Sequence, residues 1–169
     1  MSGQELVTRG GFVFIVRPAE PEDRSAIEEF FDHVTPEDMR FRFLGAVKPE
    51  GDHRLAAMID VDHERTDTFV ARERDDGPVI AVATLAYDAE FTRAEVAVSI
   101  RADYKSRGIG WELLGFVTRI AQSKGVKRLQ SLESRENHSA IELERERGFV
   151  AIPYEGDRAL VILGKVLSP

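Results

Sequence analysis

Between Ala94 and Gly110 the chain reads AEVAVSIRADYKSRGIG. An apolar, β-prone run passes into a short basic loop, and two glycines then open a strongly amphipathic helical pattern. Helix N-terminal amides lack intrahelical acceptors and carry the positive end of the helix dipole, so such a loop suits an anion. Gly108 and Gly110 carry no Cβ to hold a phosphate away from the backbone, and Lys105 and Arg107 bring charge to the same place. Two other phosphate loops fit less well. A dinucleotide fingerprint asks for a third glycine at Leu113 and a tighter turn after the strand; a P-loop asks for Gly-Lys-Ser/Thr, where Gly110 is followed by Trp111-Glu112. On spacing alone, an ordinary loop with glycines at a helix start competes with the anion site, because isolated glycine motifs are weak signals.

Other chemistries find less support. The chain has no cysteine, which removes disulfides, thiolate zinc sites and a cysteine nucleophile. His33, His53, His63 and His138 show no ligand spacing. His63 lies among Asp60, Asp62 and Glu64, but cation loops need more ordered oxygen spacing, so an exposed acidic loop and no metal is the expectation. The Glu142–Arg147 alternation, ELERER, reads as a solvated helix face of mixed charge. Against 30 acidic residues stand 23 basic ones, a net charge of −7; nucleic-acid binding draws on phosphate neutralisation, so no nucleic-acid partner is expected. Apolar runs such as Val79–Ala86 and Ala159–Leu163 fall far short of the roughly 18 residues a spanning helix needs, so no membrane partner is expected. Met1–Gly11 has no apolar signal core and reads as a flexible lead-in. These features point to a soluble, cytoplasmic protein.

The surrounding pattern supplies elements to hold the loop. The 169 residues form one domain by length, with the domain proper at 12–167. Phe12–Arg17 is β-branched and aromatic, hence a strand. Pro21-Glu22-Asp23 suits a helix first turn, followed by the stripe Ile27, Phe30, Phe31 and Val34. Pro36 starts a second helix, Glu37–Leu44, stopped by Gly45 and Pro49, and an amphipathic segment follows at Arg54–Ile59. Thr68–Arg72 and Val79–Tyr87 flank a turn cluster as a hairpin, and Ala94–Ile100 is the next strand. Ile109, Leu113, Phe116, Val117 and Ile120 mark one face of a helix ending at Lys124-Gly125. Val126–Leu132 is a strand, Ala140, Ile141 and Leu143 lie on a helix ending at Gly148, and Phe149–Pro153 and Arg158–Leu167 close the chain as strands. The order predicts a mixed α/β (α+β) fold, a central twisted mixed sheet with helices on both faces.

With these elements in place the chain resembles the GNAT N-acetyltransferases. Their acetyl-CoA loop reads Gln/Arg-x-x-Gly-x-Gly/Ala, and Lys105-Ser106-Arg107-Gly108-Ile109-Gly110 matches it with one conservative departure at Lys105. The N-terminal VRPAEPED, the FRF of Phe41–Phe43, the strand AEVAV and the stretch from Asn137 through Gly148-Phe149 follow in the family's order, so the likeness covers about residues 12–167. Within the family the pattern is most similar to Pat-type protein lysine acetyltransferases.

The resemblance implies acetyl-CoA as co-substrate, no metal, and an enzyme of acyl transfer. It implies that the strand before the loop splays from its neighbour and that the pantetheine arm pairs with backbone around Val96, Val98, Ser99 and Ile100. The diphosphate then sits on the amides of Lys105, Ser106, Arg107, Gly108, Ile109 and Gly110. Asn137 corresponds to a cofactor-contacting asparagine, although asparagine is also a good N-cap and Ser139-x-x-Glu142 spells a capping box. Acetyl transfer needs a neutral nitrogen, and a lysine is only about 0.04% neutral at pH 7, a deficit of roughly 4.6 kcal/mol that a base relieves. Glu95, on the same strand face as Ala97 and Ser99, corresponds to the glutamate base of Pat-type enzymes; on residue type alone a solvent-facing carboxylate competes with it. The family's tyrosine acid has no counterpart: Glu144 holds its position. Tyr104 beside the loop reads as packing, Tyr154 as a residue able to approach the site, and a thiol leaving with a pKa near 8.5 can dispense with an acid. The acceptor implied is a protein lysine, with a small amine as the alternative and its pocket in Phe41–Asp62. A non-catalytic acyl-CoA-binding or sensory domain is the competing class.

Overall fold

Val79–Tyr87 is apolar at almost every position, and a strand of that kind has to be covered on both faces. It is buried at every residue except Ala86 and forms the middle of the sheet. The computed structural model describes residues 3–43 and 65–167. Strands β1 (Gln4–Val7), β2 (Val13–Pro18), β3 (Thr66–Arg72), β4 (Val79–Tyr87), β5 (Arg93–Ile100), β6 (Arg128–Ser134), β7 (Val150–Pro153) and β8 (Leu160–Val166) build one sheet in the order β1-β2-β3-β4-β5-β6-β8-β7. Neighbours are antiparallel except β5 and β6, which are parallel. The helices are α1 (Arg24–Asp32), α2 (Pro36–Phe43), α3 (Ile109–Ser123) and α4 (His138–Glu146). Among the described residues no helix is long and apolar enough to cross a membrane.

Alternation along β3 and β4 sends side chains to two cores. Phe69, Ala71, Ala81 and Ala83 join Leu113, Phe116 and Val117 of α3 on one face; Val70 and Val82 join Ile27, Phe30 and Phe31 of α1 and Met39 and Phe43 of α2 on the other. The mixed α/β sheet with helices on both faces is thus the observed architecture. One element was illegible in the sequence. The stretch expected as a flexible lead-in contributes β1, which pairs with β2, buries Leu6 and ends in a turn where Phe12 N–H donates to Thr8 Oγ1 at 3.0 Å. A single inward residue is too little alternation to register as a strand. The stop signals Gly45 and Pro49 and the segment Arg54–Ile59 lie outside the described residues, as do His53, Asp60, Asp62, His63 and Glu64.

The start of α1 is locked to the sheet by a buried carboxylate. Arg17 on β2 forks onto Asp23 at 2.7 and 2.8 Å, Arg72 on β3 adds a bond at 3.3 Å, and the Glu20 amide donates to the same carboxylate at 2.7 Å. The bond from Arg17 outweighs the burial penalty and holds the Asp23 carboxyl down at about 2, against an ordinary 3.8. A depressed folded value means stability present above the unfolded value and lost as pH falls through the folded one. Asp23→Asn is expected to lower stability by about 2–3 kcal/mol at neutral pH, with its difference from wild type shrinking between about pH 4 and about pH 2; denaturant titrations at several pH values measure this.

Candidate active site

Parallel strands require a crossover, and α3 supplies it between β5 and β6. The β5–β6 ladder covers only Arg93–Arg128, Ala94–Leu129 and Glu95–Gln130. Beyond that point β5 keeps β4 as partner to Ile100, and β6 keeps β8 to Ser134, but the two strands no longer pair with each other. The sheet opens, and a cavity of about 580 Å³ fills the opening. Val96, Val98, Ser99 and Ile100 line it along the unpaired edge, and Asn137 lines it from the start of α4.

The loop before α3 closes one end. Lys105, Ser106, Gly108, Ile109 and Gly110 all line the cavity. Ser106 and Gly108 have φ of 63° and 84°, so the chain turns twice through the left-handed region. Among the described residues no hydrogen bond is found for the amides of Ser106, Arg107 and Gly108. Ile109 and Gly110 begin α3, where amides have no intrahelical acceptor. A run of donors is left facing outward, a concave arrangement suited to an anion. The glycines also have reasons the sequence did not supply. Gly108 needs its positive φ, and a Cβ at Gly110 would stand 3.3 Å from Leu143 Cδ1, so that residue is a close contact between α3 and α4.

Two charged side chains of the loop take partners within the protein. Arg107 does not line this cavity; its guanidinium lies over the Tyr104 ring at 4.7 Å, donates to the Asp103 carbonyl at 3.2 Å, and faces a second hollow on the other side of the loop. The stacking surface of Tyr104 and Phe12 draws it there. Lys105 does reach the cavity, but its ammonium is paired with Asp38 of α2 at 2.6 Å.

Carboxyl groups stand on both sides of the opening. Ala94 and Val96 belong to the core under α3, so alternation turns Glu95, Ala97 and Ser99 to the face covered by α2. Glu95 is exposed within the cavity, where Asp38, Phe41 and Arg42 also lie; Arg42 donates to Thr84 Oγ1 at 3.3 Å. On the opposite face Glu133 and Glu144 line the same cavity. Glu144 is 7% exposed, accepts from Ser131 Oγ at 2.8 Å and lies within electrostatic reach of Glu133. Burial first, then the Glu133 carboxylate, push the Glu144 carboxyl up to about 10, against an ordinary 4.5.

The comparisons agree with this geometry. Residues 27–149 match the model of the acetyltransferase (GNAT) family. An acetyltransferase of Pseudomonas aeruginosa, PA5475, is 30% identical over 88% of this chain and 81% of its own length. The acetyltransferase Pat of Mycolicibacterium smegmatis is 32% identical over 73% of this chain, which spans 37% of that longer protein. In fold, the GNAT domain of S. lividans PAT superposes with a TM-score of 0.86 over 98% of this chain and 97% of that one, at 21% identity. The chain belongs to the GNAT acetyltransferase family.

For a GNAT chain, the α4 region departs from its sequence pattern in two ways. ELERER is a solvated face only in part: Glu142, Arg145 and Glu146 are exposed, but Ala140, Glu144 and Arg147 fall on one helical stripe, Glu144 is buried, and the Arg147 guanidinium stacks on Trp111 at 4.1 Å and donates to its carbonyl at 2.7 Å. Alternating charge signs hid the 3.6-residue period. Ser139 does not cap α4; it lies inside the helix, and Asn137 takes the N-cap position without a side-chain capping bond. The tyrosines divide clearly. Tyr87 is buried with its hydroxyl on Asp67 at 2.6 Å, Tyr154 is not among the lining residues, and Tyr104 lines the cavity with its hydroxyl on Glu73 at 2.9 Å. Glu133 went unnoticed in the sequence, although Leu129, Ser131 and Glu133 share one face of β6 by simple alternation. Among the described residues no cluster of three metal-ligating side chains is found.

Two outcomes follow from this geometry. Gly108→Ala forces a side chain into a left-handed turn and is expected to destabilise by about 1–2 kcal/mol, whereas Gly110→Ala asks only a small movement of Leu143 and costs less, as thermal unfolding would measure. Because the folded Glu144 carboxyl is raised, its contribution is complete below about 4.5 and is lost as pH rises toward about 10. Glu144→Gln is therefore expected to melt with a flatter pH profile and to gain on wild type as the solution becomes alkaline.

Proposed function

We propose that this protein transfers an acetyl group from acetyl-CoA to a primary amine, by direct attack with Glu95 as general base. The observation that carries the reading is the opened edge of β5 running into the unpartnered amides before α3. Open backbone needs partners, and an amide-rich pantetheine arm can supply them as a surrogate strand. Val96, Val98, Ser99 and Ile100 would hold that arm, the amides of Lys105–Gly110 the diphosphate, and Asn137, free of capping duty, the cofactor from α4. Bound there, acetyl-CoA supplies the activated acyl group.

Glu95 sits on the α2 face of the opening, so the acceptor approaches from that side and the coenzyme from the α3–α4 side. Glu95 takes the proton of the attacking nitrogen, directly or through a water. Asp38, Glu95 and Glu133 outnumber Arg42 and Lys105 around the cavity, Glu144 keeping its proton, a balance that favours a cationic amine over an anionic one. A protein lysine is the acceptor this reading favours, in keeping with the likeness to Pat; a small polyamine-like amine would use the same chemistry.

Calorimetric titration with acetyl-CoA, followed by coenzyme A release with a panel of lysine peptides and small amines, tests the proposal. Glu95→Gln is expected to bind acetyl-CoA as wild type does while transfer falls about 10²-fold or more. Binding with no turnover by wild type on any amine would reassign the protein as an acyl-CoA sensor.

A further inference from the structure

Two carboxyl groups on the coenzyme side of the opening have no part in the transfer described so far. Glu133 ends the inward-facing row of β6, Glu144 faces it from α4, and both line the cavity at the point where β5 has left β6. The pair is built in: Ser131 Oγ holds Glu144 at 2.8 Å, and Glu144 is nearly inaccessible. Among the described residues the neighbouring elements bring no cation to it. Lys165 on β8 gives its ammonium to the Arg147 carbonyl at 2.8 Å, Arg147 at the end of α4 gives its guanidinium to the Trp111 carbonyl of α3 at 2.7 Å, and β5 turns only Ala94, Val96 and Val98 toward this side. No ion pair to Glu133 or Glu144 is found among the described residues. Two adjoining carboxyls without a counter-charge ionise together only at a cost that draws a proton back, so at rest one proton stays with the pair.

We propose that the Glu144 carboxyl, sharing its proton with Glu133, is the general acid that protonates the coenzyme A thiolate as it departs. The inference rests on the acetyl-transfer reading above. In balance, Glu95 accepts one proton from the nitrogen as the nitrogen–carbon bond forms, and Glu144 gives one proton to the sulfur electron pair as the carbon–sulfur bond breaks. The pair is left doubly negative inside the protein, which draws a proton back from solvent, while Glu95 releases its own. Base and acid thus stand on opposite faces of the sheet, with the opening between them as the reaction channel. The pair also replaces what a tyrosine would do from α4, because a buried carboxyl that keeps its proton near neutrality is a donor of comparable strength.

The test reads the proton directly and then its use. Protein labelled with carboxyl-¹³C glutamate is titrated with and without coenzyme A, the pair being assigned with Glu144→Gln and Glu133→Gln. One carboxyl of the pair is expected to hold its proton past neutral pH and to shift when coenzyme A binds. In single-turnover transfer to the best amine of the panel, Glu144→Gln is expected to lose about 10²-fold or more in rate, with acetyl-CoA affinity unchanged and the alkaline fall of the wild-type profile gone. Glu133→Gln, lacking the neighbouring charge, is expected to move that alkaline fall toward neutrality, and it carries the test if Glu144→Gln does not fold. Ordinary titration of both carboxyls, a Glu144 signal indifferent to coenzyme A, or an unchanged alkaline limb in Glu133→Gln would overturn the proposal. Full transfer in Glu144→Gln beside lost transfer in Glu95→Gln rejects this acid and leaves acetyl transfer standing. No transfer by wild type rejects the acetyl-transfer reading and the acid together.

Discussion

The β5–β6 ladder ends after Glu95 and Gln130, although both strands continue, each still paired on its far side. Backbone N–H and C=O groups without partners are costly to bury, so a sheet opened in this way needs either water or a ligand backbone along its exposed edges. That requirement explains why a cavity runs through the middle of the domain instead of along its surface. It also explains why the crossover helix starts where it does: α3 begins at the wide end of the opening, with its donor amides turned toward the gap. A sheet paired along its whole length would leave the same glycine loop as a surface turn with nothing to hold.

Rigid contacts surround the opening. Asp23 ties α1 to β2 and β3 through two arginines, Lys105 and Asp38 join the loop to α2, and Leu143 packs on Gly110 to join α4 to α3. The walls of the cavity therefore belong to different elements but are fixed to one another by short polar bonds and close packing. Such a frame holds reacting groups at set distances, one of the ways a protein accelerates a reaction.

Burial of Glu144 next to Glu133 works against stability, since two carboxyls without a cation retain a proton only at an energetic cost that an apolar pair would not incur. Strain of this kind, local and lining the cavity, contrasts with the rest of the molecule. Elsewhere among the described residues the buried carboxylates have cations: Asp23 has Arg17 and Arg72, and Asp67 has Lys124. The departure from that rule occurs where a proton donor would be useful, and stability is commonly given up at such places.

The succession of elements after β1, the helices on two faces and the loop before α3 were legible because each rests on local periodicity and turn chemistry. Val79–Tyr87 announced a hairpin strand beside Thr68–Arg72, and Lys105–Gly110 announced a helix start by its glycines and charge. Glu95 was legible as a face assignment, since alternation is a local rule. What the sequence could not determine is where the β5–β6 pairing stops, because nothing in either strand marks the last shared hydrogen bond. β1 escaped notice because one buried leucine gives no pattern. Glu133 and Glu144 escaped as a pair because they come from different elements, a strand and a helix, and only tertiary packing brings them together and removes them from water. Residue type set the chemistry available, and the closing of α4 over an opened sheet decided which of those groups would meet.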